Sequence, residues 1–321
     1  MRKLVLAIAC ALPLAAFAQS YPSKPVRYIV PFAPSGTGDV CARYHAQKLQ
    51  ERLGQAVVIE NRAGANQAIG LEAGARSPAD GYTLVQGALS GLVLNTVFKA
   101  ASGASTGKLP YDAVKDFAPV SMVCVSPLYL AVTGKLPVKS VQELVDHARA
   151  NPGKVTFSSN GIGGTQHLGV ELLAARTGIV LVHVPYKDGA QSTSDMVSGT
   201  IDMLFGGALL IPHHKSGRVR IIAVGSPKRM PALPEVPTMS ESGLPGYDVS
   251  SWFSLVVPAG TPRPVIDRLH RETDAIVRAT PPSASNDIDY QSSTPEELAE
   301  RIRTEIATWT KVIRDAGIKA E

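Results

Sequence analysis

Apolar strands alternate with helices along most of the sequence. Residues 26–30 form a run rich in β-branched residues, and a helix is predicted over 39–53 after a short loop. That helix has apolar or small residues at i, i+4, i+7 and i+11, and Gly54 comes directly after it, as is typical of a helix end. Because the next strand, at 56–59, is again apolar, the pattern predicts an α/β fold whose parallel strands are covered on both faces.

The second half of the chain repeats this alternation. Capping boxes at 140–143 (S-x-x-E) and 294–297 (T-x-x-E) predict helix starts. The helix that begins at 140 is predicted to end at 151–153, and the C-terminal helix near Ala316. Further helices are predicted near 65–76 and 165–176. Further strands are predicted at 82–85, 155–157, 180–184, 201–205 and 220–224. A proline-rich stretch at 230–246 leads the chain away from this second series, and both halves are α/β.

Length and composition favour two globular domains. The chain has 321 residues, of which 45% are hydrophobic and 18% charged, and one domain takes about 150 residues. No apolar run reaches the roughly 18 residues that would cross a membrane. The net charge of +5 comes without a cluster of Lys and Arg, so we expect no nucleic-acid partner.

The N-terminus has the features of a secretory signal peptide. Two basic residues precede an apolar run that ends in A-F-A at 16–18, and small residues at this spacing indicate a cleavage site. The sequence therefore predicts a signal peptide at 1–18 that is cleaved after Ala18. Cys10 raises a lipoprotein alternative, which is disfavoured because Ala7 stands where a lipoprotein signal normally has Leu.

Two further cysteines, Cys41 and Cys124, remain after this cleavage. In an exported chain they could form a disulfide, or they could stay as two buried thiols. The sequence leaves both possibilities open.

Two glycine-rich loops stand between a strand end and a helix start. In open α/β sheets ligands bind at this edge, where unpaired N–H groups and the positive end of the helix dipole favour anions. The candidate binding residues are Ser35, Gly36, Thr37, Gly38 and Asp39 in the first loop and Ser159, Asn160, Gly161, Gly163, Gly164 and Thr165 in the second. Either loop alone could be an ordinary turn with a hydroxyl cap, but one in each half of the chain favours the two walls of a binding cleft.

Enzyme motifs are absent from the sequence. Neither glycine-rich loop completes the dinucleotide fingerprint, no G-x-S-x-G elbow occurs, and the histidines do not have a zinc-binding spacing. We therefore expect no catalytic residue, metal or cofactor. Asp39 and Asp195 are expected near helix starts, either as caps or as ligand-orienting groups, and His167 is expected to be a structural residue of a first helical turn.

Nearly the whole chain after residue 20 resembles one family, motif by motif and in order. The segments that carry the resemblance are YPSKPVRYIVPF at 21–32, ENRAGA at 60–65, DGYTL at 80–84, YD at 111–112 with KDFAPV at 115–120, QHL at 166–168, HVPYK at 183–187, LPEVPT at 233–238, PAGTP at 258–262 and STPEE at 293–297. They are similar to the Bug receptors, the periplasmic substrate-binding proteins of tripartite tricarboxylate transporters.

The resemblance implies a monomeric periplasmic receptor with two lobes, each a mixed sheet flanked by helices, in the arrangement of a type II-like binding protein ("Venus flytrap"). Lobe one would hold 19–122 and 247–321, and lobe two 123–246. The lobes would close on a small carboxylate and deliver it to the integral-membrane permease of the transporter. The segment 186–195, with Asp188 and Asp195, would border the cleft. Two alternatives are a secreted α/β hydrolase and a ligand sensor that feeds a signalling partner.

The chain departs from the family pattern at three places beside the expected cleft. Ser35 stands where the family usually has Gly, and Gly206-Gly207 stand where it often has Asp-Asn. Asp188-Gly189 and Ser192-Thr193 replace a Gly and a Pro-Ala pair ahead of the next helix. We expect these last residues to contact a hydroxyl, amine or other polar group of the ligand.

Overall fold

A computed structural model describes residues 21–101, 109–186, 189–280 and 288–315, so the predicted signal peptide lies outside the described residues. The strands are β1 (Val26–Val30), β2 (Val57–Asn61), β3 (Thr83–Ala88), β4 (Phe117–Ser126), β5 (Tyr129–Thr133), β6 (Thr156–Ser159), β7 (Val182–Pro185), β8 (Met203–Gly206), β9 (Val219–Val224), β10 (Ser251–Pro258) and β11 (Asp289–Tyr290). The α-helices are α1 (Thr37–Leu53), α2 (Ala68–Ala75), α3 (Asn95–Ala101), α4 (Val141–Ala150), α5 (Thr165–Thr177), α6 (Gly189–Ser198), α7 (Ile211–Lys215), α8 (Arg263–Ala279) and α9 (Pro295–Asp315), with a π-helical turn at Leu89–Leu94 and a 3₁₀ turn at Ala208–Leu210.

The strands form two mixed sheets, one in each lobe. Their order is β11-β4-β10-β3-β1-β2 in the first sheet and β7-β6-β8-β5-β9 in the second. In the first sheet β1 is parallel to β2 and β3, whereas β10 is antiparallel to β3 and β4, and β11 to β4. In the second, β6 is parallel to β7 and β8, and β5 is antiparallel to β8 and β9. The predicted two-lobed α/β fold with mixed sheets is confirmed.

Helices cover both faces of each sheet. Helices α1 and α8 pack on one face of the first sheet through a core that includes Leu49. Helices α2 and α9 pack on its other face, and this core continues from Leu71 into the second lobe as far as Leu168 on α5. Helices α6 and α7 cover the remaining face of the second sheet around Met196. The described residues contain no helix long and apolar enough to cross a membrane.

The chain passes between the sheets twice, after β4 and after β9. Strand β4 stays paired with β10 of the first sheet as far as Ser126. The division into 19–122 with 247–321 and 123–246 stays a prediction.

The predicted helix signals operate as expected in α1 and α9. The apolar stripe of α1 is buried, and Gly54 ends the helix with φ 67°, a left-handed conformation that favours glycine. At the start of α9, Thr294 Oγ1 accepts the N–H of Glu297 at 3.1 Å, and Glu297 Oε2 accepts the N–H of Thr294 at 2.8 Å. This reciprocal pair is the capping box that the sequence predicts.

Two predicted helix starts are wrong. The helix predicted near 65–76 begins only at Ala68, because Ala65, Asn66 and Gln67 all have positive φ (47°, 47° and 75°) and cannot continue a right-handed helix. Helix α6 begins at Gly189, so Ser192-Thr193 lie inside it and not ahead of it. No proline occurs in this segment to hold the backbone out of the helix.

A disulfide joins Cys41 on α1 to Cys124 on β4, with 6.7 Å between their Cα atoms. Both cysteines are buried in the core between α1 and the first sheet. The pairing that the sequence leaves open is therefore present, and it fixes α1 to the centre of its lobe.

Candidate functional site

The first glycine-rich loop leads from β1 into the unprotected N-terminus of α1. Gly36, the residue before the helix, is extended, and no side chain caps the helix start. Among the described residues no acceptor meets the N–H groups of Gly36, Thr37 or Gly38. An α-helix leaves its first N–H groups without internal partners, and the helix dipole adds positive potential there. This end of α1 is therefore suited to an anion.

Asp39, in the first turn of α1, holds this loop in place. Its buried carboxylate accepts the Ser35 N–H at 2.9 Å, Arg43 Nε at 2.7 Å and Asn61 Nδ2 at 2.7 Å. Burial alone would raise the pKa of Asp39, but the hydrogen bonds from Arg43, Asn61 and Ser35 outweigh it and hold the pKa below its ordinary value. Both carboxylate oxygens are thus engaged with the protein. Asp39 therefore positions the loop, its side chain caps no N–H group of α1, and its predicted ligand-orienting role stays a prediction.

Ser35 has φ 71°, which is unusual for a residue other than glycine. The hydrogen bond from its own N–H to Asp39 supports this conformation. Ser35, the predicted departure from the family pattern, therefore keeps the backbone form that a glycine would adopt.

The second glycine-rich loop, between β6 and α5, differs because most of its N–H groups already have partners. The Asn160 N–H donates to Gln166 Oε1 at 2.9 Å, Gly161 to Ser159 Oγ at 3.2 Å and Gly163 to His167 Nδ1 at 3.2 Å. The two N–H groups that follow are also occupied, since Gly164 donates to the Gly161 carbonyl at 3.3 Å and Thr165 approaches Ser90 Oγ at 3.4 Å. The donors between Asn160 and Thr165 are thus largely engaged, whereas those of Gly36, Thr37 and Gly38 at the start of α1 are not, and the place of this loop as a wall of the cleft stays a prediction.

A histidine pair, His167 buried and His183 half-buried, supports the second loop. The rings of His167 and His183 lie 4.2 Å apart, and Phe157 stacks on His183 at 4.8 Å. Burial, with a contribution from His183, lowers the pKa of His167 to about 4, so its ring is neutral at pH 7. Since Nδ1 accepts the Gly163 N–H, the proton of the neutral ring is on Nε2. His167 has the structural role that the sequence predicts.

The lobes meet at two pairs of residues, and in each pair one member is a predicted binding residue. Ser90, in the π-helical turn of the first lobe, lies 2.9 Å from Thr165 through their hydroxyl oxygens. A β-carbon at Gly207, after β8 in the second lobe, would lie 3.2 Å from Thr37 Oγ1. Each predicted loop therefore contacts the opposite lobe. Gly207 is one of the predicted departures from the family pattern, whereas nothing in the sequence marks Ser90.

A third loop, at Ala65–Gln67 before α2, also faces the second lobe. Asn66 donates through Nδ2 to Asn95 Oδ1 at 2.8 Å, and Asn95 donates back to the Asn66 carbonyl at the same distance. A β-carbon at Gly164 would lie 3.5 Å from Asn66 Oδ1. Consecutive residues in the left-handed region carry a conformational cost, and such strain gathers at functional sites.

The segment around α6 keeps its polar groups within the protein. Asp188 lies outside the described residues. Asp195 is not near the helix start but in the second turn of α6, because the helix begins at Gly189. It accepts Tyr186 Oη at 2.6 Å and Gln191 Nε2 at 2.8 Å, and its hydrogen bond with Tyr186 raises the pKa of that tyrosine to about 12.

The hydroxyl groups of Ser192 and Thr193 are likewise engaged. Ser192 Oγ lies 2.7 Å from Ser158 Oγ, and Thr193 Oγ1 donates to the Gly189 carbonyl at 2.9 Å. The contact of these residues with a polar group of the ligand stays a prediction, and it would require these hydroxyls to exchange or share their partners.

Two α/β lobes that are linked by two crossings and meet over a helix N-terminus define a solute-binding receptor. Residues 41–318 match the family described as the tripartite tricarboxylate transporter family receptor, TctC. The chain belongs to this family, whose members are substrate-binding receptors and not enzymes.

The relatives include named receptors with bound carboxylates. The chain is 36% identical over 310 residues to the protein BugT of Bordetella pertussis, with 94% of this chain and 92% of BugT covered. A Rhodopseudomonas palustris protein solved with adipate has 32% identity and a TM-score of 0.84, over 93% of this chain and 99% of that one. MatC from R. palustris, with bound malate, has 25% identity and a TM-score of 0.79, over 91% and 100%. The resemblance to the Bug receptors is confirmed.

Proposed function

We propose that the chain binds a small carboxylate in the cleft between its lobes and delivers it to the permease of a tripartite tricarboxylate transporter. The observation that carries the proposal is the uncapped N-terminus of α1, where the N–H groups of Gly36, Thr37 and Gly38 have no acceptor among the described residues. A carboxylate would accept hydrogen bonds from these donors. The adipate and malate of two relatives have the same chemistry.

The donor set is neutral. The first-loop segment 34–39 and the second-loop segment 158–165 contain no Lys or Arg, and the nearby Arg43 is paired with Asp39. Dipoles and hydroxyl groups would therefore hold the carboxylate, directly or through water. Among the other predicted site residues, Ser35 and Asp39 would shape the first loop, and Ser159, Asn160, Gly161, Gly163, Gly164 and Thr165 would form the opposite wall with Asp188 and Asp195 at its border.

The proposal includes a periplasmic location and a permease partner. The signal sequence at 1–18 supports export and cleavage after Ala18, and the family consists of receptors in the periplasm. The receptor would work as a monomer and meet its permease at the membrane. Uptake of radiolabelled ligand by vesicles that contain the permease, with and without the receptor, measures delivery of the ligand to the permease.

A thermal-shift series with monocarboxylates, dicarboxylates including adipate and malate, and aromatic carboxylates tests the ligand class. A ligand at about 100 times its dissociation constant should stabilise the fold by roughly 2.7 kcal/mol. The best ligand is then compared with its primary amide by calorimetric titration. Hydrogen bonds to a charged acceptor contribute about 1.5–3 kcal/mol each, so the amide should bind about ten-fold to more than a hundred-fold more weakly.

Ionic strength is the control for the neutral donor set. Raising the salt concentration from low to physiological should weaken binding only slightly, because no full charge of the protein faces the ligand. Equal affinity for acid and amide would contradict the anion site on α1. A steep salt dependence would instead show that a cationic side chain holds the carboxylate.

A further inference from the structure

Gly207 has no backbone reason to be glycine. It follows β8 and precedes the 3₁₀ turn with φ −84° and ψ −165°, an extended conformation that any residue can adopt. Its neighbour Gly206 is different, because a β-carbon there would lie 2.6 Å from Leu210 Cδ1 and 2.8 Å from Leu204 Cδ1 within its own lobe. Of these two glycines, Gly207 is the one at which a side chain would face the opposite lobe.

The group that Gly207 faces is Thr37, the first residue of α1. A β-carbon at position 207 would lie 3.2 Å from Thr37 Oγ1, which is tighter than ordinary van der Waals contact. The same residue carries one of the three N–H groups without an acceptor. A side chain at 207 would therefore either displace Thr37 or keep the second lobe away from the end of α1.

Gly164 on the other loop also lies beside the first lobe, but less tightly. Its φ of −76° and ψ of 164° are also open to any residue, and a β-carbon there would lie 3.5 Å from Asn66 Oδ1 of the first lobe. At both positions the second lobe presents backbone to a polar side chain of the first lobe. At Gly164 this distance is ordinary van der Waals contact, and the nearest atom is the Gly161 carbonyl oxygen of its own loop at 3.4 Å, so close approach of the lobes explains the glycine at 207 alone.

We propose that Gly207 is the stop against which the cleft closes on Thr37, and that the size of residue 207 determines which ligands the closed cleft accepts. This rests on the proposed function, since the space in question lies over the N–H groups assigned to the carboxylate. Any substituent at 207 reduces that space, and the loss should be greatest for the longest ligands.

The contact itself is tested without a ligand by cross-linking. Replacing Thr37→Cys together with Gly207→Cys places two thiols at a distance that a disulfide can bridge when the lobes meet. The matched control is Thr37→Cys with Leu209→Cys, because Leu209 follows two residues later and is 69% exposed. After mild oxidation, peptide mapping separates the new bond from the native Cys41–Cys124 disulfide.

We expect the 37–207 cross-link to form at least ten-fold faster than the 37–209 cross-link. Equal rates, or no 37–207 bond in a protein whose circular dichroism shows it to be folded, would overturn the proposal. A dicarboxylate that closes the cleft, with adipate and malate as probes, should accelerate the 37–207 bond further.

The effect on ligand choice is measured with Gly207→Ala and Gly207→Val. We expect Gly207→Val to weaken adipate binding at least ten-fold and malate binding less. The affinities of Gly207→Ala should lie between those of Gly207→Val and the wild type. Adding Thr37→Ala should reduce the loss, since it removes the atom that the new side chain meets; a purely structural effect at 207 would not be relieved in this way.

The outcomes separate this proposal from the proposed function. If adipate and malate each bind Gly207→Val as tightly as they bind the wild type, the proposal that Gly207 is the stop is wrong. The proposal that the chain is a carboxylate receptor is then unaffected. If the 37–207 bond forms but neither compound binds the wild type or accelerates it, the contact stands and the proposed ligand class fails.

Discussion

Asp39 and Arg43 form an i, i+4 ion pair in which the carboxylate is almost fully buried and the guanidinium is half-exposed. An exposed counterpart exists in Arg263 and Asp267 on α8, with the same 2.7 Å distance between Nε and a carboxylate oxygen. The two pairs differ in burial, in the number of groups that depend on the carboxylate, and in that Arg263 has a second carboxylate partner, Glu296, at 2.7 Å. They therefore allow the cost of disturbing the first loop to be measured against a matched pair.

Asp39→Asn should lower the free energy of unfolding by about 1.5–3 kcal/mol, because hydrogen bonds to a buried charged group are lost or weakened. Asp267→Asn should cost no more than about 0.5 kcal/mol, as expected for an exposed pair. Urea denaturation of both variants at pH 7 measures the difference. A similar loss in the two variants would show that Asp39 does not hold the loop through its charge.

His45 is a second residue whose burial has a measurable consequence. It is enclosed between α1 and α8, where Nε2 lies 3.1 Å from Thr273 Oγ1, and burial lowers the pKa of the ring to about 4. The unfolded chain gains the proton near pH 6.5, whereas the folded chain resists it until about pH 4. Stability is therefore complete above pH 6.5 and decreases as the pH falls between these values.

His45→Gln should remove this part of the pH dependence. Between pH 7.5 and 4.5 the wild type should lose about 2.5 kcal/mol more than the variant, at 1.36 kcal/mol for each pKa unit. Urea denaturation at the two pH values gives the difference between the two proteins. Other titrating groups, His167 among them, act in both proteins and cancel in this comparison. Equal losses would mean that His45 gains its proton in the folded state as readily as in the unfolded chain.

At the scale of the elements, local signals predict α1 and α9 well, but not the starts of α2 and α6. Helix α1 has its stripe and terminal glycine, and α9 has its capping box. The antiparallel strands β4, β5 and β10 are not predicted. They have no helical or strictly alternating pattern, because most of their residues are buried on both faces by contacts distant in sequence.

The candidate site divides in the same way. Its loops are predicted because glycine, serine and threonine after a strand are local signals. The partners of those loops are not, since the opposition of Thr37 to Gly207 and of Ser90 to Thr165 depends on how two separate lobes meet. The positive φ of Asn66 and Gln67 also has no local signal, because the contact with Asn95 that supports it is made across 29 residues.

The disulfide links two elements of the first lobe, α1 and β4, across a sequence separation of 83 residues. Cys41→Ala with Cys124→Ala should lower the free energy of unfolding by about 2–4 kcal/mol, chiefly by releasing a constraint on the unfolded chain. Urea denaturation of the variant and of the wild type in reductant should give similar values, and both should fall below the oxidised wild type. No change on reduction would contradict a contribution of this bond to stability.

At the scale of the whole molecule, the lobes are joined strongly on one side and weakly on the other. One hydrophobic core runs from Leu71 in the first lobe to Leu168 and Phe205 in the second, next to the two chain crossings. Over the cleft, the contacts among the described residues are the hydroxyl pair of Ser90 with Thr165, an edge-on contact between the rings of Phe98 and His167 at 6.4 Å, and close approaches at glycines. Loss of the second set would expose little apolar surface, so opening about the crossings is the motion that this distribution favours.

Ligand binding should therefore make the molecule more compact. Small-angle scattering with the best carboxylate at saturation should give a smaller radius of gyration than without it, approaching the value of about 19 Å for a compact chain of this length. The primary amide at the same concentration is the control, because a ligand that does not engage the N–H groups of α1 has no differential affinity for the closed state. The oxidised 37–207 cross-linked variant should show the small radius whether or not the carboxylate is present. The radius of the wild type could instead stay unchanged at saturating carboxylate and equal that of the cross-linked variant. This result would mean that the lobes are held together at all times and that the ligand enters without opening of the cleft.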